Sequence, residues 1–198
     1  MTNYSLTVRV QRRMALQRFS EQGYSLCFAS EVEGEGYKVI ASSSRVASNT
    51  DFNWNDDLGI AASQSRFMHG VQIQAITDVD SIRLGQTYTL SEDYQGRVND
   101  GGPQGGIRFN NQTDGASPIL YRTINGSRDP IYVGSMQIPR GASQEIKPNN
   151  KVKVWFQRDG QRGTMIDEIH EQSIEIDMSG RTSATVVFND DFSWSLQQ

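Results

Sequence analysis

The run Asp51-Phe52-Asn53-Trp54-Asn55-Asp56-Asp57 places side-chain oxygens at alternate positions around a tryptophan. Two kinds of chemistry fit that pattern. Asp51, Asn53, Asn55 and Asp57 stand at positions 1, 3, 5 and 7, the spacing at which a calcium loop offers oxygens to a hard cation. The run departs from the EF-hand where that motif is most demanding, with Asp56 in place of the glycine and Ala62 in place of the bidentate glutamate. Calcium is therefore the single cofactor considered, and otherwise none is expected. The second reading is a ligand site: Trp54 stacks on a sugar or other small polar ligand while Asn53, Asn55 and Asp57 take its hydrogen bonds. The competing structural reading makes Trp54 a plug at the end of a sandwich.

The densest ionisable cluster is Met165-Ile166-Asp167-Glu168-Ile169-His170-Glu171. In extended chain, Ile166, Glu168 and His170 share one face, and Glu168 beside His170 would form a general-base pair. The second histidine of a zinc-protease helix is missing, and the other histidine, His69, lies far away in sequence. No serine sits in a Gly-x-Ser-x-Gly elbow. Gly101 to Gly106 is glycine-rich like a phosphate-cradling loop, but a strand-like Ile-Arg-Phe follows where a helix would have to open, so nucleotide binding is not expected. The lone Cys27 forms no intrachain disulfide, and its Leu-Cys-Phe-Ala setting points to a buried structural thiol.

The elements that must position these residues read as strands. Period-two alternation recurs at Tyr4/Leu6/Val8/Val10, Val71/Ile73/Ala75, Tyr88/Leu90, Val152/Val154/Phe156, Ile174/Ile176/Met178 and Ala184/Val186/Phe188. Asn125-Gly126, Asp114-Gly115 and Asp159-Gly160 supply hairpin turns. This predicts an all-β fold, an antiparallel β-sandwich or alternatively a closed β-barrel, with at most one short helix, over Arg12 to Glu21. Gln95 to Gly106 reads as a long mobile loop. With 198 residues and no visible linker, the chain is read as one domain over 1–198.

The formal net charge of −4 and a pI near 5.2 argue against a nucleic-acid partner. Arg9, Arg12, Arg13 and Arg18 are a local exception, read as a solvated strand edge. No apolar run is long enough for a transmembrane helix. The alternating start Met-Thr-Asn-Tyr-Ser-Leu does not read as a signal peptide, so a cytoplasmic location is expected, with unconventional export left open. Trp155 lies between Val154 and Phe156, so that strand is apolar on both faces, and a bare outer face would favour a homodimer.

The expected function is that of a non-catalytic, soluble, lectin-like binding protein for carbohydrate or another small polar ligand. Two alternatives are weighed. One is a membrane-active or pore-forming sandwich acting through the Arg12–Phe19 segment. The other is a carboxylate/histidine enzyme using Glu168 and His170 in a cleft. The balance leans away from an enzyme.

Overall fold

The computed structural model describes residues 1–197. In chain order the elements are β1 (Asn3–Val10), α1 (Arg13–Glu21), β2 (Tyr24–Val32), β3 (Ser42–Arg45), β4 (Asn49–Ser63), β5 (Asp80–Ile82), β6 (Gln86–Leu90), β7 (Gly96–Asp100), β8 (Ile107–Asn111), β9 (Ser117–Ile124), β10 (Ser127–Val133), β11 (Ser143–Ile146), β12 (Pro148–Arg158), β13 (Ser173–Asp177), β14 (Ser183–Phe188) and β15 (Trp194–Gln197).

The strands form three sheets. The largest runs β10-β9-β4-β1-β14-β15, with β5 paired to β4; the others run β13-β12-β2-β3 and β11-β8-β6-β7. None closes into a barrel, so the all-β sandwich is the architecture. Antiparallel pairing is expected from the sequence; most pairs follow it, but β1–β14 and β6–β8 are parallel. Neither pair is joined by a tight turn, so no hairpin imposes the antiparallel direction.

Alternation sets the faces. Leu6, Val8 and Val10 of β1, Phe52 of β4, and Val152, Val154 and Phe156 of β12 all point into one core. Phe28 of β2 stacks on Phe52 with ring centroids 4.8 Å apart, and Phe156 meets Phe188 of β14 at 5.1 Å. These contacts seat the second sheet on the first. Tyr88, Leu90, Ile107, Phe109 and Ile146 bring the third sheet into the same core. β11 runs into β12 through Lys147, joining the third sheet to the second. Asn125 and Gly126 adopt φ values of 50° and 78°, the positive pair that a tight β9–β10 hairpin requires.

The expected helix forms as α1, but its apolar face is spent on the core. Ala15 is buried, Leu16 and Phe19 pack against the sandwich, and Phe19 stacks on Phe156 at 4.8 Å. The segment that motivated a membrane-active reading thus has no apolar face to offer a bilayer in this arrangement. No helix among the described residues is long and apolar enough to cross a membrane.

The outer face of β12 is also sealed by the chain itself. Trp155 is fully buried with Cys27, Ala29, Ile40 and Ile166, and Tyr37 and Ile169 pack on that cluster. The reason for expecting a homodimer, a bare Trp155 face, is therefore absent. Two further expectations are corrected. Val71 to Ala75 is not a strand but part of a largely exposed connection, which bridges Thr164 through Gln72 and packs Ile73 against the cluster of Ala61, Ile119, Tyr121 and Val133. The supposed mobile loop contains β7, which pairs with β6 over Gln86–Asp100 to Leu90–Gly96.

Candidate functional site

The Asp51–Asp57 run lies within β4 rather than in a loop. Strand alternation turns Phe52 and Trp54 inward and Asp51 and Asn53 outward. Trp54 is only 2% exposed, stacked on Tyr4 at 5.7 Å and tilted against Phe28 at 5.2 Å. It plugs the core, and its face is closed to a ligand. A depression of about 300 Å³ is lined by Asn53, Trp54 and Asn55 with Asn3, Tyr4 and Thr123, but the 2% exposure of Trp54 leaves the indole almost no surface in it.

The polar groups of this run are engaged with neighbouring strands. The Thr7 hydroxyl donates to Asp51 Oδ1 at 2.7 Å, and the Asn53 N–H donates to Asn125 Oδ1 at 2.8 Å. Asn55 Oδ1 accepts from the Asp57 N–H at 3.0 Å. Asp57 accepts from Thr123 Oγ1 at 2.9 Å and from Arg128 Nη2 at 3.0 Å. Along an extended strand Asp51 and Asp57 lie on the order of 20 Å apart. A calcium ion needs its oxygens about 2.3–2.6 Å from one centre. Asp51, Asn53, Asn55 and Asp57 therefore do not converge on a cation.

Glu168 and His170 do not form the expected pair either. The segment from 166 to 172 is not a strand. Ile166 is buried and Ile169 packs on the Trp155 cluster, so this three-residue spacing, rather than alternation, decides what faces outward. Asp167, Glu168 and His170 are all exposed. The neighbour of His170 is His69, whose ring meets it edge-on with centroids 5.8 Å apart. His69 Nδ1 lies 2.7 Å from Asp167 Oδ1 and 3.1 Å from the Asp167 backbone nitrogen. Sequence separation hid this meeting. It arises because residues 70–73 lie along 163–165, with Gly70 N–H donating to Met165 O and Met165 N–H to Val71 O, both at 2.8 Å.

Cys27 is the buried thiol expected from sequence. Burial pushes its pKa up to about 12, aided by the negative charge of Glu171, so it is not a thiolate nucleophile near neutral pH.

Two adjoining polar depressions lie at the β6–β7 hairpin. A polar depression of about 660 Å³ is lined by Thr89, Ser91, Asp93, Gln95, Arg97 and Asn99, among others. A second, of about 390 Å³, lies beside it and includes Thr77, Asp78, Asp80 and Tyr94. Gln95 and Gly96 border both, so the end of the hairpin forms the ridge between them. Tyr94, next to Gln95 at that ridge, is 40% exposed and lines the smaller depression.

The turn that presents Tyr94 is built locally. The Ser91 hydroxyl, within reach of both Asp93 Oδ1 and the Gln95 carbonyl for its single proton, accepts from the Gln95 N–H at 3.1 Å, while the Tyr94 N–H donates to Ser91 O at 3.1 Å. This closure holds Tyr94 at φ 62°, in the left-handed region that side chains with a Cβ rarely adopt. Sequence reasoning missed the site, although the signal was present: Asp93-Tyr94-Gln95 is an aromatic flanked by polar groups, the pattern sought around Trp54.

No family model matches the chain, and neither a curated protein nor a solved structure matches it significantly.

Proposed function

We propose that the protein is a non-catalytic binding module that takes a carbohydrate, or another polyhydroxylated small ligand, on the Tyr94 ridge. The observation that carries this reading is the placement of an exposed aromatic ring, in a costly backbone conformation, in a polar depression that shares Gln95 and Gly96 with a larger one. A left-handed backbone at a non-glycine residue costs on the order of 1–3 kcal/mol, and such strain concentrates at ligand clamps. The larger depression offers matched groups for hydroxyls: Arg97 as donor, Asp93 as acceptor, and Asn99 and Gln95 as both. An aromatic ring beside them supplies a flat apolar surface for the C–H face of a sugar ring.

The reading keeps the ligand class expected from sequence and moves the site from Trp54 to Tyr94. A glycan array probed with the wild type and with Tyr94→Ala tests it. Saturable binding to a defined set of glycans, lost in the variant, is expected. An array on which the wild type binds nothing, or on which the variant binds equally, would overturn it.

A further inference from the structure

We propose that His69, Asp167 and His170 form a binding site for one divalent first-row transition ion, with Zn²⁺ as the probe. The chain has two histidines, and the fold brings both to this spot from distant segments. One donor atom from each of the three side chains lies within 4.8 Å of the other two, and His69 Nδ1 is 2.7 Å from Asp167 Oδ1.

The donor set selects the ion. Two imidazoles and one carboxylate suit zinc and its neighbours, whereas calcium and magnesium call for oxygen shells. Zinc holds nitrogen at about 2.0–2.1 Å and carboxylate oxygen at about 2.0–2.2 Å, so tetrahedral donors stand about 3.3–3.5 Å apart. The widest donor gap compatible with the 4.8 Å bound must close by about 1.5 Å. All three side chains are exposed, so rotation about their χ angles can close that gap, at the cost of the hydrogen bond from the Asp167 N–H wherever His69 Nδ1 becomes the ligand.

Their backbones, by contrast, are already held in register. The Gly70–Met165 and Met165–Val71 hydrogen bonds fix the two carrying segments side by side, and Ile166 anchors the second in the Trp155 cluster. Pre-positioned donors on a fixed frame reduce the ordering cost of ligation. The bound ion would cross-link the exposed connection around His69 to the segment carrying Asp167 and His170. With three protein ligands it would keep an open position for water.

The test uses the full chain without an affinity tag. Zinc binding is measured by calorimetry for the wild type, His69→Ala and His170→Ala, with circular dichroism confirming the fold of each. One saturable site is expected in the wild type, weakened at least tenfold by either substitution. Saturating Zn²⁺ should also raise the wild-type Tm by about 5 °C or more at a hundredfold excess over Kd. No saturable site up to 1 mM Zn²⁺, or weakening of less than tenfold in either variant, would overturn the proposal. The outcome is independent of the glycan array, since none of these residues lines the Tyr94 ridge.

Discussion

A Cβ at position 96 would lie 2.3 Å from the hydroxyl oxygen of Tyr88. Tyr88 is fully buried in β6, and its hydroxyl donates to Thr77 Oγ1 at 3.3 Å. Gly96 is thus what lets the β6–β7 hairpin lie flat over a large core side chain, directly beneath the turn that presents Tyr94. Gly96→Ala is expected to cost about 1–3 kcal/mol through overpacking, read as a lower urea midpoint at unchanged slope. Because the displaced hairpin carries the ridge, ligand affinity should fall with it.

Trp54 provides the contrasting case. As a core residue its truncation to alanine should cost about 3–5 kcal/mol. Trp54→Phe preserves most of the packing and should leave ligand binding within about twofold of wild type, since the ring touches no solvent-facing ligand surface. Calorimetry against the ligand found on the array checks the second statement, and denaturant titration the first.

Arg122 of β9 tests how the sandwich tolerates a buried charge. It is 2% exposed, donates to Ser30 Oγ at 3.0 Å and to Asp56 Oδ1 at 3.3 Å, and its Nε has no partner. Burial lowers its pKa, while Asp56 opposes that shift. Replacing a buried ion pair as a whole with apolar residues of similar size is often neutral or stabilising, because no charged partner is left behind. The double substitution Arg122→Met with Asp56→Leu should therefore fall within about 1 kcal/mol of wild type or exceed it. Asp56→Ala, which strips the charge of its partner, should destabilise by about 1–3 kcal/mol, the loss being moderated by the partial exposure of Asp56. Urea titration of the two variants distinguishes these outcomes.

The Cys27 thiol gives the protein a pH signature. Its folded pKa is raised to about 12, above the ordinary value of 9.0, by burial and then by Glu171. Between those values the folded state holds the proton that the unfolded state releases. The thiol's contribution is thus complete below about pH 9 and declines as pH rises towards 12. The stability difference between wild type and Cys27→Ala should shift in that direction over this window. A thiol reagent at pH 8 should label Cys27 only on unfolding.

Much of the fold was legible because a half-buried strand writes its faces into alternate residues. Leu6/Val8/Val10 and Val152/Val154/Phe156 follow that rule and lie in the core. The same rule already paired Trp54 with Phe52 on one face, but the acidic and amide residues of the outward face made the run look like a loop. β7 escaped notice for a related reason: Gly96, Arg97, Asn99 and Asp100 leave Val98 as its single apolar residue, as suits a strand at the sheet edge. The meeting of His69 with His170 could not be read locally. It depends on the isolated Gln72–Thr164 bridge and the hydrogen bonds beside it, which join a connection to a segment almost a hundred residues apart. Val71/Ile73/Ala75 alternated without forming a strand, because no neighbouring strand continues the pairing beyond Gln72.

The binding claim is tested most directly by mapping where a ligand lands. Two-dimensional NMR of the isotopically labelled protein, titrated with a glycan selected on the array, reports every amide at once. Saturable shifts should cluster at Tyr94, Gln95, Gly96, Arg97 and Asn99, with those of Asn53, Trp54 and Asn55 unmoved. Shifts centred on the Asn53–Asn55 face, or none that saturate, would contradict the assignment of the site to the ridge.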